Sequence, residues 1–136
     1  LEVPGQPFWT PLMKVLEPLL LDHGLISASD ISLYTITDNI DDAVQEITAF
    51  YANYHSIRFV DDTLYIRVQR AVPDDQFLEI ATRLGSLAID GVIQQTSATP
   101  EELKDQDMPD LSRISLKYAA KGFADLRGLI DALNQF

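Results

Sequence analysis

Apolar residues recur at two different spacings along this chain, and the change of spacing divides it. Up to about residue 55 they return every third or fourth position, the period of a helix buried along one side. Phe8, Trp9, Leu12, Met13, Leu16, Leu19 and Leu20 make the first stripe, with Thr10 and Pro11 as its start and Gly24 as its stop. Pro18 removes one hydrogen bond inside it, and the spread of apolar residues over more than one side predicts a helix held between layers. Ile40, Ala43, Val44, Ile47, Phe50, Tyr51 and Tyr54 make a second, cleaner stripe. Asn39 caps it, and Asp41 and Asp42 place negative charge at the positive end of its dipole. Between the two, residues 31–36 (ISLYTI) have the β-branched and aromatic density of a short strand. Residues 1–7, with Pro4, Gly5 and Pro7, read as a strand end running into a loop.

After His55 the period switches to two. Ile57 and Phe59 alternate with Arg58, Asp61-Asp62-Thr63 turn the chain, and Leu64, Ile66 and Val68 alternate with Tyr65, Arg67 and Gln69, which predicts a half-buried hairpin. Pro73, Asp74 and Asp75 open a helix carried by Phe77, Leu78, Ala81, Leu84 and Leu87. Gly91 ends it, and Val92 and Ile93 begin a strand. Thr99, Pro100 and Glu102 fit a capping box at the start of a short helix, and Asp105 to Asp110 is a polar loop. Ile114, Leu116 and Tyr118 share one face of a strand, and Phe123, Leu126, Leu129, Ile130 and Leu133 give a closing helix. The class is therefore α+β: helix, strand and helix over residues 1–55, then a ββαβ(α)βα sandwich over 56–136, with a soft boundary at Asn53 to Ser56.

Composition narrows the chemistry. A chain of 136 residues suffices for one ordinary core, and its 46% hydrophobic content offsets the entropy of ordering. The absence of cysteine excludes a disulfide scaffold, a thiolate zinc site and a thiol nucleophile. No apolar run reaches membrane-spanning length and the start lacks a signal-peptide pattern, so a cytoplasmic address and no membrane are expected. A net charge of −11 disfavours nucleic acid, whose phosphates need clustered Lys and Arg. That charge is uneven, since residues 1–49 hold eight acids and a single base, Lys14, for a net −7.

Candidate chemistry is sparse. His23 sits at a helix C-terminus, where the dipole favours a cation, and His55 lies between Tyr54 and Ser56 at a helix-to-strand turn with no serine elbow beside it. Asp105, Asp107 and Asp110 superficially suggest a calcium loop, but Asp110 stands where such a loop needs glycine and Leu116 where it needs a bidentate glutamate. The six glycines are scattered and form no phosphate loop. One constellation stands out. If the alternating apolar residues of the strands face the core, Arg58, Arg67, Arg113 and Lys117 share the opposite face. That face either receives a carboxylate, a phosphate or an acidic surface, or it is a sheet face whose bases pair with the chain's own acids.

Phe8-Trp9, Gly24-Leu25-Ile26, Asp30-Ile31-Ser32-Leu33, Ile36-Thr37-Asp38 and Asp41-Asp42-Ala43-Val44 resemble the end of the lonely-guy (LOG) family domain. That family, often labelled possible lysine decarboxylase, has a Rossmann-like fold, and its characterised members are nucleotide 5′-monophosphate phosphoribohydrolases. Phe50-Tyr51, Tyr54-His55-Ser56, Arg58-Phe59-Val60, Leu126-Arg127, Leu129-Ile130-Asp131 and Leu133-Asn134 look like the C-terminal extension of longer bacterial members. The family's catalytic signature, Pro-Gly-Gly-x-Gly-Thr-x-x-Glu, has no counterpart here, so no catalytic residue carries over. The resemblance implies that residues 1–3 are the stump of a Rossmann strand. It also implies a non-catalytic accessory, oligomerisation or regulatory region, with no cofactor and no metal. Its partner would be a missing N-terminal domain or another copy of the chain. Two other readings stay open: a free-standing module binding a small anion through Arg58, Arg67, Arg113 and Lys117, and a hydrolase acting through His55 and nearby acids.

Overall fold

A computed structural model describes residues 1–120 and 122–136 and shows an α+β chain. Helix α1 (Trp9–Asp22) is followed by a 3-10 turn (Ala28–Leu33) and helix α2 (Ile40–Phe50). Strands β1 (Tyr54–Val60) and β2 (Thr63–Val68) form the expected hairpin, and helix α3 (Asp74–Leu84) follows. Strand β3 (Ala88–Thr96), the short helix α4 (Pro100–Asp105), strand β4 (Ser112–Tyr118) and helix α5 (Phe123–Leu133) complete the chain. The four strands make one antiparallel sheet in the order β1-β2-β4-β3.

The core follows from the alternation. Leu64, Ile66 and Val68 of β2 and Ile114 and Leu116 of β4 point to one face, where Phe77 and Ile80 of α3 and Leu126, Leu129, Ile130 and Leu133 of α5 cover them. Among the described residues every buried hydrophobic side chain lies between Tyr54 and Leu133. None of residues 1–50 is buried. Phe8, Val15 and Leu19 near and on α1, and Ile40, Val44 and Ile47 of α2, are all more than half exposed. The first part thus supplies amphipathic elements without a core of its own.

Asn53 fastens the two parts. It is fully buried, its side-chain amide donates to the carbonyls of Arg70 (3.1 Å) and Leu133 (3.0 Å), and its carbonyl accepts from Arg70 N–H (2.8 Å). Asn134, just past α5, accepts from the N–H groups of Asn53 (3.0 Å) and Tyr54 (2.7 Å) and donates to the Phe50 carbonyl at the end of α2 (2.6 Å). Two asparagines thereby satisfy the backbone where the helix ends and the strand begins.

Four expectations are corrected. Residues 31–36 are not a strand: the Asp30 carboxylate accepts from Ser27 N–H (2.8 Å), the local bond closes a 3-10 turn, and among the described residues no strand pairs with the segment. Thr10 does not cap α1 with its hydroxyl; its N–H (2.7 Å) and hydroxyl (2.8 Å) both donate to the Glu2 carboxylate, an acid reaching back to the helix start. Strand β3 begins at Ala88 and not after Gly91, which sits inside it at φ +74 where the register shifts, so the glycine makes a bulge and not a boundary. Ile57 and Phe59 lie opposite Ile66 and Leu64, on the core side, yet are 39% and 56% exposed because β1 is an edge strand; Ile57 only lines an open hollow with Leu126 and Ile130 of α5. No helix among the described residues is long and apolar enough to cross a membrane.

Candidate functional site

The second face of the sheet carries the chain's concentrated polar chemistry. Register places Arg67 of β2 directly opposite Arg113 of β4, and alternation turns both away from the apolar core. Two guanidiniums so placed repel each other unless an anion lies between them. Helix α4 supplies it. Thr99 and Glu102 form the capping box, with Thr99 N–H donating to Glu102 Oε2 (2.9 Å) and Glu102 N–H donating to the Thr99 hydroxyl (3.2 Å). That reciprocal cap aims the Glu102 carboxylate at the sheet.

Each carboxylate oxygen then takes one arginine. Arg67 donates from Nε (3.1 Å) and Nη2 (2.5 Å) to Oε1, and Arg113 donates from Nε (2.9 Å) to Oε2. Arg113 spends its remaining donors on the carbonyls of Leu111, Asp107 and Met108, so it also pins the loop between α4 and β4. Asp107 of that loop accepts from Arg67 Nη2 (2.5 Å) and from Arg58 Nη1 of β1 (2.9 Å). The Arg113 and Glu102 side chains are 0% and 1% exposed. Burial pushes the Glu102 carboxyl up, but the hydrogen bonds from Thr99, Arg67 and Arg113 outweigh it and hold it at about 2. The Arg67 guanidinium lowers the Asp107 carboxyl, and Arg58 reinforces it.

All four sequence-predicted basic residues therefore have an acidic partner. Arg58, Arg67 and Arg113 converge on one network, whereas Lys117 stands apart, 3.3 Å from Asp62 in the hairpin turn. The Asp62 carboxyl is lowered by that contact. An incoming anion has to displace Glu102 or Asp107 to reach Arg67 or Arg113; Arg58 and Lys117 remain partly accessible. Alternation in the sequence points to the arginines, but leaves Glu102 as a helix-cap residue and Asp107 as a loop acid set against a calcium-loop pattern. The capping box was the available signal, because a short helix beginning on such a box over a basic strand face needs somewhere to put its glutamate.

The remaining candidates are more ordinary. His23 Nδ1 lies 2.9 Å from the Leu19 carbonyl, one turn back on α1, and His55 Nδ1 lies 2.9 Å from the neighbouring Ser56 hydroxyl. Asp107 belongs to the arginine network, and no group of three acidic or histidine side chains suited to a metal occurs among the described residues.

A second feature is a trough over the first part. One hollow of about 410 Å³ lies between residues 33–37, α2 and Arg127 of α5, with Ile47, Phe50 and Tyr51 on its wall. A second of about 280 Å³, lined by Trp9 and Met13 of α1, adjoins it through Leu1, Tyr34 and Thr35. Arg127 of the larger hollow's lining lies over the Phe50 ring and donates to Glu46 (3.0 Å) and Asp131 (2.7 Å). Searches against protein-family models, curated proteins and solved structures return no match for this chain.

Proposed function

We propose that this chain is a non-catalytic accessory region, of the kind the LOG resemblance implies for longer nucleotide 5′-monophosphate phosphoribohydrolases, and that it docks on a companion surface through its N-terminal helices. One observation carries the reading: residues 1–50 expose much of the apolar sides of two amphipathic helices and contain no fully buried residue, with Phe50 alone of their hydrophobics packed against the core beside them. The polar network supports it from the other direction, because Glu102 and Asp107 already occupy Arg67 and Arg113, on which the anion-binding reading draws.

The test has two arms. The purified chain should release no ribose 5-phosphate from AMP or other nucleoside monophosphates, and steady turnover overturns the reading. Nile red should brighten on the chain and lose most of that signal in the double variant Val15→Glu/Leu19→Glu. An unchanged signal removes the exposed α1 face on which the reading rests.

A further inference from the structure

Resting on that docking reading, we infer that the trough over α1 and α2 seats a basic amphipathic helix of a companion protein. Two properties of the site select this occupant. The adjoining hollows are lined by large apolar and aromatic side chains, Trp9 and Met13 in one and Ile47, Phe50 and Tyr51 in the other. They suit two successive anchors on one face of a helix, as in helix-in-groove recognition. The segment that supplies most of both linings is acidic: residues 1–49 carry eight acids against Lys14, and Glu46 lines the larger hollow beside Arg127. Glu17 accepts from the Tyr34 hydroxyl on the shared wall, so negative charge sits beside the apolar floor.

Charge also decides against a second copy on this face. Two such surfaces would bring net −7 against net −7, which slows encounter and opposes close contact, whereas Lys and Arg flanking an apolar stripe are drawn in. Arg127 does not reverse this, since Glu46 and Asp131 engage it.

Trp9 is the chain's single tryptophan and lines the trough, so it reports occupancy directly. The probe is a two-heptad Leu/Lys peptide of about 14 residues, compared with the same peptide carrying Glu for Lys and with a scrambled Leu/Lys order. The expected result is a saturable blue shift of Trp9 emission with the basic amphipathic peptide alone, weakened about tenfold or more by Ile47→Glu. Ile47 is 60% exposed, so this variant keeps its fold, which far-UV circular dichroism verifies. No shift, equal binding of the scrambled peptide, or a concentration-dependent dimer that shields Trp9 overturns the inference. A failed shift with no nucleotide turnover and intact Nile red binding overturns the basic helix alone and leaves the accessory reading standing.

Discussion

Arg67 and Arg113 face each other across neighbouring strands, and the two oxygens of one buried carboxylate, Glu102, divide between them. The cross-strand repulsion of two guanidiniums thus becomes the anchor of helix α4, and the capping box that starts that helix also positions its counter-charge. A buried network of this kind is costly to break and less costly to replace as a whole.

Replacing Glu102 by Gln should therefore destabilise the chain by about 3–5 kcal/mol, because the buried Arg113 loses its acidic partner and Arg67 keeps only Asp107. The triple variant Arg67→Met/Glu102→Leu/Arg113→Met should recover most of that loss. Urea unfolding followed by circular dichroism measures both; a Glu102→Gln midpoint equal to the parent's contradicts the network's importance.

Acid should act through the same residue. The Glu102 carboxyl titrates at about 2 in the folded chain against 4.5 as its ordinary value, so folding favours its charged form. Its stabilisation, up to about 3 kcal/mol, is complete above pH 4.5 and disappears as the pH falls toward 2. Stability measured between pH 6 and pH 2 should drop less steeply in Glu102→Gln than in the parent, and parallel curves would assign the acid sensitivity elsewhere.

Asn134→Ala should cost about 2–4 kcal/mol, since it leaves the N–H groups of Asn53 and Tyr54 and the Phe50 carbonyl without their partner at a half-buried junction. Thermal unfolding supplies the value. Asn134→Asp should be milder than Ala, because it keeps the acceptor for the two N–H groups and loses only the donor to Phe50.

Hydrogen exchange should divide the chain near residue 53. Amides of α1 and α2 should exchange through low-cost local opening, while those of β2 and β4, in the centre of the sheet, approach the global unfolding limit. Equal protection of α1 and β4 would show that the first part is stabilised by contacts beyond those described.

Much of this was readable in residue order. The stripe from Ile40 with its Asn39 cap, the Asp61-Asp62 turn and the Thr99-Glu102 box are local signals that became the elements they predict, except that the helix ends at Phe50, short of Tyr54, which opens β1. Where the structure departs from the pattern, a neighbour that the pattern does not contain is responsible. Residues 31–36 had strand composition but no strand to pair with, and the nearby Ser27–Asp30 bond offered a local alternative. Ile57 and Phe59 are on the expected side of the sheet but on its edge strand, where the helical layer covers them only in part. Alternation assigns a face; it does not say how far a neighbouring layer extends.

The sequence by itself determined the periods, the Asn39 and Thr99 caps and the shared face of Arg58, Arg67 and Arg113, because spacing along a strand fixes which way a side chain points. Only the tertiary structure decided what meets that face. Glu102 is 35 residues from Arg67 and 11 from Arg113, and nothing in those separations announces a contact. Strand register set the arginines opposite each other, and packing of α4 put the carboxylate between them. The same holds for the exposed helices: their stripes show that they need a partner, and the fold shows that the chain's own core does not supply one.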